Sequence, residues 1–397
     1  MATFKTISSA DIKTTRTVLN QLVDFVEEDV SGSATRKTYD VFVTSSTKGG
    51  ITNAITSSLF HTVYDQNFTL QTANEVFDLT FGLFSGSNAV AESTTGTDTN
   101  GKLLFNSQSI MMREKINIYR QFSQTLLGDA ASRFRAPFSS TSAEDDIDNA
   151  LFICFKRLFV RDGVKRETFA MRFFQSASYQ APGTQNISSS AAMPGGSSAI
   201  FTDVGAASSI ERSQFGGDVG NIVLASDTSK TVGLMFYQKG VAILDLSRAL
   251  DPDQDMAGDV DSVGKFAVTP ISASFVPHFV SSASMDQILN HVATVRFGSG
   301  SNTFLTFQNN TKINSTLVFC RATADEFNYS SNPTYTDAEG RIIVIDESQQ
   351  GEQKSFSFVS TVGLYDANEE LLATAKLSRP VEKNDEKDLT FRVRLDF

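Results

Sequence analysis

The chain closes on Leu389-Thr-Phe391-Arg-Val393-Arg-Leu395-Asp-Phe397, where every odd residue is apolar and every even one polar. A period of two predicts a half-buried strand. Leu389, Phe391, Val393, Leu395 and Phe397 share one face, and Thr390, Arg392, Arg394 and Asp396 the other. Upstream, Phe356 and Phe358 alternate in the same way. Tyr365-Asp-Ala-Asn-Glu-Glu then reads as a polar turn, Leu371 to Leu377 as a returning strand, and Pro380 as a break in the ladder. Residues 353–397 are therefore expected to form a meander of three or four antiparallel strands.

The other end of the chain carries a helical period. Ser8, Ser9 and Asp11 offer an N-cap, after which Ile12, Leu19, Leu22, Val23, Val26 and Val30 recur until Ser31-Gly-Ser33. This spacing predicts an amphipathic helix of about five turns, which either packs on its own domain or projects to a neighbouring subunit. Met112, Ile116, Tyr119 and Leu126 predict a second helix, stopped by Gly128. Ala143-Glu-Asp-Asp opens a third, with acidic residues in its first turn and Ile147, Leu151, Cys154 and Leu158 on one face.

Strands are expected at residues 39–43 and 168–173, and the segments 60–70 and 76–84 are Phe-rich. From residue 199 onward they dominate: 222–224, 232–237, 241–246, 304–307, 313–319 and 342–345, with a short helix at 285–291. Residues 85–101 and 176–198 are low-complexity Ser, Thr, Gly and Ala stretches that read as surface loops. The fold class is thus α+β and strand-dominated, with antiparallel meanders in the C-terminal half. Three regions are expected: a helical arm over 1–35, an α+β region over 36–198, and a mainly β region over 199–397. An internal echo, Thr231-Val-Gly-Leu234 before Leu246-Ser-Arg248 and Thr361-Val-Gly-Leu364 before Leu377-Ser-Arg379, reads either as chance or as a duplicated strand-turn-strand unit.

Composition adds few constraints. With 33 Phe and no Trp, the core is built from phenyl rings. A formal net charge of -11 argues against nucleic-acid binding, which needs clustered Lys and Arg; Lys156-Arg157 and Lys165-Arg166 read as solvated edges. Cys154 and Cys320 lie in apolar runs and read as small buried hydrophobes. The N-terminus has no apolar signal region and no run approaches a membrane span, so synthesis in a cytosol without membrane insertion is expected.

Candidate chemistry is sparse. His61, His278 and His291 have no metal-ligand spacing and read as satisfied histidines. Gly96-Thr-Asp-Thr-Asn-Gly101-Lys102 resembles a phosphate-binding loop, but Leu103 replaces the hydroxyl that Mg²⁺ needs. Asp251, Asp253, Asp255, Asp259 and Asp261 are spaced like a calcium loop, yet Met256 and Ser262 stand where such a loop needs Gly and Glu. A looser cation site or a solvated acidic loop remains. No catalytic, cofactor-binding or metal residue is expected, and the chain is read as no enzyme.

Several strings do resemble a known group. Asp325-Glu-Phe-Asn-Tyr-Ser-Ser-Asn-Pro333-Thr-Tyr, Val362-Gly-Leu-Tyr-Asp366, Leu372-Ala-Thr-Ala-Lys-Leu-Ser-Arg-Pro380 and the closing Phe391-Arg-Val-Arg-Leu-Asp-Phe397 look like virion structural proteins of contractile-tailed phages, especially marine cyanobacterial myoviruses. Phe68-Thr-Leu-Gln-Thr-Ala73, Ile110-Met-Met-Arg-Glu-Lys115, Phe201-Thr-Asp-Val204 and Gly233-Leu-Met-Phe-Tyr237 extend the resemblance upstream. It implies a bacteriophage baseplate component, assembled in the host cytoplasm, whose partners are copies of itself and other tail proteins. Alternatives are a neck, capsid-decoration or fibre-connecting protein, or a glycan-binding or glycan-degrading tail-tip protein. Interface candidates are Leu19, Leu22 and Val26 at the N-terminus and Phe391, Arg392, Arg394 and Phe397 at the C-terminus, where the two arginines would face an acidic neighbour. The same C-terminal strand reads equally well as an internal strand of the protein's own sheet.

Overall fold

The computed structural model describes residues 4–26, 36–42, 56–65, 69–87, 110–138, 140–175, 198–206, 211–213, 215–250, 254–255, 272–273, 280, 283–297, 303–330, 332–343, 348, 352 and 354–397. The glycine-rich loop at 96–102, the serine-rich run at 176–197, His278 and the acidic stretch 251–261, apart from the backbone of 254–255, lie outside them. Strand makes up 51% and helix 15%, so the strand-dominated class holds, with antiparallel sheets. The chain forms two compact units, Asn20–Thr311 and Met1–Leu19 with Lys312–Phe397.

The strands are β1 (Ile12–Val26), β2 (Arg36–Phe42), β3 (Thr56–Tyr64), β4 (Glu75–Leu83), β5 (Phe134–Arg135), β6 (Asp146–Ile147), β7 (Asn149–Phe155), β8 (Gly163–Val164), β9 (Ala170–Phe174) and β10 (Ser198–Thr202). They continue with β11 (Glu211–Ser213), β12 (Gly217–Leu224), β13 (Asp227–Phe236), β14 (Val241–Asp245), β15 (Gln254–Asp255), β16 (Ser272–Ala273), β17 (Thr303–Ala322), β18 (Phe356–Tyr365), β19 (Leu371–Asn384) and β20 (Leu389–Asp396).

The larger unit is organised on a sheet of order β17-β9-β10-β12-β13-β14-β7-β4-β3-β2, with β8 also on β17 and β11 also on β12. β14 pairs with β7 from Val241↔Cys154 to Asp245↔Ala150, and β4 pairs with β7 from Phe77↔Phe155 to Leu83↔Asn149. Every residue of β14 is buried, and nearly every residue of β7. A strand covered on both faces needs apolar residues at consecutive positions, not alternate ones. That corrects the third expected helix: Ala143–Asp145 is a single 3-10 turn capped by Ser142, followed by β6 and β7. The helical spacing of Ile147, Leu151 and Cys154 was a by-product of a continuous buried run.

The expected helix at 111–127 is present as α1 (Ile110–Leu126). Met112, Lys115, Tyr119 and Leu126 are buried at intervals of three, four and seven residues, and Gly128 ends the element at φ 86°. Phe122 of α1 stacks on Phe152 of β7 with ring centroids 3.9 Å apart. The Tyr119 hydroxyl donates to the Ile147 carbonyl at 2.7 Å and accepts from the Phe134 amide at 2.9 Å, tying α1 to β5 and β6. Gly82 of β4 allows this approach, because a Cβ there would lie 2.9 Å from the Tyr119 backbone nitrogen. A second group of rings, Phe77, Phe155, Phe173, Phe297 and Phe304, meets mostly edge-on or tilted, as aromatic quadrupoles prefer. The short helix expected at 285–291 is α2 (Met285–His291).

The N-terminal amphipathic helix is not formed. Residues 12–26 are β1, which pairs with β17. Ile12, Thr14, Thr15, Thr17, Val18, Val23 and Val26 are β-branched, which disfavours helix and suits a pleated surface. A 20-residue partner, β17, supplies the ladder. Residues 304–307 and 313–319, expected as two strands, are parts of that one strand.

Candidate assembly surface

The unit made by Met1–Leu19 and Lys312–Phe397 holds four of the segments that carried the resemblance, the other four lying within Asn20–Thr311. β20 pairs with β17 from Ser315↔Asp396 to Ala322↔Leu389. The alternation reads through: Leu389, Phe391, Val393 and Leu395 are covered, and Thr390, Arg392, Arg394 and Asp396 exposed. Phe397 departs from it, being 74% exposed, because the strand ends before it and only its backbone is held, by Asn314. The Arg394 Nε donates to Asp396 at 2.8 Å and its Nη2 to the Ser315 hydroxyl at 3.3 Å. Ser315 and Arg394 both bond the Asp396 carboxylate, which holds it below the usual range.

The expected single meander is instead two sheets. Among the described residues β18 and β19 pair only with each other, from Phe356↔Asn384 to Tyr365↔Leu371. The tip follows the expected turn: the Asp366 carboxylate accepts from the Asn368 amide at 2.9 Å and the Glu370 amide at 2.8 Å. Pro380 does not end the ladder. The register jumps from Val359↔Val381 to Thr361↔Lys376, so Leu377–Pro380 form a bulge, and the missing N–H of proline falls where pairing is already interrupted.

One face of the β18–β19 ribbon is covered. Leu364, Val362, Ala373 and Ala375 pack with Val318, Cys320, Val393, Leu395 and Ile7, of which Val318, Leu364 and Val393 alone are fully buried. At the ribbon's base the buried Lys383 ammonium donates to Asn328 Oδ1 at 2.6 Å, Asn384 O at 2.7 Å and Ala324 O at 3.1 Å. Several large apolar side chains of the ribbon are nonetheless exposed, the Tyr365 ring meeting only the edge of Phe4, with centroids 4.9 Å apart, and Phe358 meeting Phe356. Phe358 is 59%, Tyr365 44%, Leu371 53% and Leu372 69% exposed. A two-stranded ribbon is marginal on its own and presents unpaired edges.

The structure separates the seven interface candidates. Leu19 and Leu22 are both exposed, but on a strand they project to opposite faces rather than lying together as a helix would place them. Val26 is the last residue of β1. Phe391 is half-covered beside Cys320 in register, while Arg392 and Arg394 face outward. The exposed ribbon residues Phe358, Tyr365, Leu371 and Leu372 were not picked out from sequence. Alternation alone does not reveal whether a second sheet covers a face.

Elsewhere, polar clusters mark chain crossings. The buried Asp203 accepts from the Tyr237 hydroxyl at 2.8 Å, the Glu167 amide at 2.7 Å and the Phe169 amide at 2.9 Å. Burial outweighs these bonds and raises its carboxyl above the usual range. Asp146 sits between Arg133 and Arg135, each at 2.6 Å; burial pushes its carboxyl up, but the two guanidiniums together hold it below the usual range. Lys156 pairs with Asp78 at 2.7 Å and Glu75 at 3.0 Å, as the solvated-edge reading implies. Burial, then Asp78, pushes the Cys154 thiol up to about 12. His61 is not the satisfied histidine expected: it is buried, neither ring nitrogen has a hydrogen-bond partner among the described residues, and Nε2 lies 3.7 Å from Asp286 Oδ1. Among the described residues no cluster of three or more His, Cys, Asp or Glu is placed to hold a metal, and no helix is long and apolar enough to cross a membrane.

The internal echo also resolves. Both Thr-Val-Gly-Leu segments lie in the first strand of a hairpin, β13 and β18. The Leu-Ser-Arg segments differ: Leu246–Ala249 is a helical turn whose Arg248 reaches the carbonyls of Ala136 and Glu144, each at 2.5 Å, whereas Leu377–Arg379 is the bulge in β19. The two are not copies of one folded unit.

Compared with protein-family models, curated proteins and solved structures, the chain matches none.

Proposed function

We propose that this chain is a structural protein of a bacteriophage contractile tail, a baseplate wedge component that works by protein–protein assembly rather than by catalysis. The observation that carries the reading is the uneven placement of apolar side chains. The unit containing β18–β20 buries three residues in its own small core, yet it holds most of the exposed large apolar side chains among the described residues. The adjoining exposed Tyr365, Leu371 and Leu372 at the ribbon tip are apolar surface of the kind that marks a site of interaction, and a ribbon with open edges can add to a partner's sheet. The resemblance of the segments in this same unit to virion structural proteins supplies the setting. In that setting the ribbon would hold neighbouring parts of the baseplate together and shift as the tail contracts.

Antibody-gold labelling of intact and contracted virions tests this. Label at the distal tail end is expected. Label at the head, neck or fibre tips would retire the wedge assignment, and particles without label would overturn the virion reading.

A further inference from the structure

The exposed face of the ribbon is not uniform. At its tip the exposed Tyr365, Leu371 and Leu372 flank the exposed carboxylates of Glu369 and Glu370. The outward face of the β17–β20 pair has the opposite character. There Leu317 lies in register with Arg394 and Phe319 with Arg392, so two half-covered apolar side chains lie beside two exposed guanidiniums, with the Asp396 carboxylate next along the same face. Arg394 is oriented by Asp396 and Ser315, and Arg392 makes no ion pair among the described residues. On a chain of net charge -11, such a basic and apolar patch is the less common surface, and the acidic and apolar tip is its complement.

We propose that the occupant of the ribbon is a second copy of this chain, docked head to tail: the Tyr365–Leu372 tip of one copy lies on the Leu317, Phe319, Arg392 and Arg394 face of the next. A symmetric ribbon-to-ribbon contact would bring Glu369 and Glu370 against themselves, and like charges across an interface are repulsive. The head-to-tail arrangement joins unlike charges and covers apolar side chains on both sides. Because the two surfaces differ, the contact is heterologous and generates a ring if the rotation closes. This inference rests on the assembly reading above and names its partner.

Sedimentation velocity on the full chain over a concentration series, at low and at raised salt, tests it. The wild type is expected to associate reversibly and less tightly as salt rises. The double variants Glu369→Lys with Glu370→Lys, and Arg392→Glu with Arg394→Glu, should each associate at least ten-fold more weakly, with unchanged circular dichroism. Mixing the two variants makes both contacts between unlike copies complementary, introduced lysines against introduced glutamates at one and the native Glu369 and Glu370 against the native Arg392 and Arg394 at the other, so association should return. A wild type that stays monomeric, variants that associate like the wild type, or a mixture that fails to associate would each overturn the proposal. Gold label on tails together with a monomeric wild type would retire this contact and leave the virion assignment standing.

Discussion

Lys115 makes the stability of this protein rise with pH, and the size of the effect follows from its surroundings. Its side chain is fully buried on α1, and its ammonium donates to the carbonyls of Val280 at 2.6 Å and Ala283 at 2.7 Å. Burial lowers its pKa from 10.5 to about 7, with Glu114 acting the other way. Between those values the unfolded chain keeps a proton that the folded chain has shed. Folding therefore gains about 1.4 kcal/mol per pH unit, and that gain is lost as pH falls through about 7. Over pH 7 to 9 the expected rise is about 2–3 kcal/mol. Above pH 9 Cys154 opposes it, because burial and Asp78 push its thiol up from 9.0 to about 12 and the folded chain then holds the extra proton. Urea unfolding at pH 7, 8 and 9 should show the rise in the wild type. In Lys115→Met it should be absent, on top of a pH-independent loss of about 1 kcal/mol for each carbonyl left without its donor. The difference between the two proteins cancels every other titrating group. Parallel stability curves would refute the reasoning and show that Lys115 keeps its proton when buried.

Other substitutions test separate parts of the fold. His61→Leu removes a buried imidazole with no hydrogen-bond partner among the described residues and should leave the melting temperature unchanged or raise it; a fall equivalent to more than about 1 kcal/mol would reveal a partner. Asp203→Asn weakens three hydrogen bonds to one carboxylate and should destabilise by about 2 kcal/mol in urea unfolding. Gly233→Ala places a Cβ 2.0 Å from the Ile243 carbonyl oxygen, whereas at Gly363 it meets only the Tyr365 ring, at 2.8 Å. The first should cost about 1–3 kcal/mol or more by overpacking against backbone, and the second less, because the half-exposed Tyr365 ring can shift at the cost of its edge contact with Phe4. Equal losses from the two would contradict that assignment.

The features legible in the sequence were those where one physical demand acted alone. α1 combined an apolar stripe with Gly128 past its end, and β20 had an unbroken period of two with one face on solvent. Where two demands overlapped, the pattern misled. Leu19, Leu22, Val23 and Val26 satisfy a helical period, but β-branching along the segment and the length of β17 favour a strand. Ile147, Leu151 and Cys154 fit a helix only because β7 is apolar at nearly every position. The β18–β19 turn was legible from Asp366 and its neighbours, yet the pairing of β20 with β17 rather than β19 depends on a register between residues 67 to 81 apart in the chain, for which the sequence carries no local signal. Lys115 gave none either, since a lysine on an amphipathic helix is ordinarily at its wet edge. The arginines of the candidate surface were legible because β20 alternates; the exposed ribbon face was not, because Phe358 and Leu372 would look the same if another sheet covered them.

The energetics of the ribbon bear on how such a surface works. Covering a large apolar side chain yields about 1.5–3 kcal/mol, so Tyr365, Leu371 and Leu372, already partly covered, contribute on the order of 3–6 kcal/mol together. Association costs about 4–15 kcal/mol in lost freedom of motion, and exposed ion pairs add only about 0–1 kcal/mol each. One contact of this kind therefore holds two copies weakly. In a closed ring every copy makes two contacts, and the last is formed within an assembly whose translational cost has already been met. Free subunits would then remain separate at low concentration and lock together once the ring closes, a property that suits a part built into a larger particle.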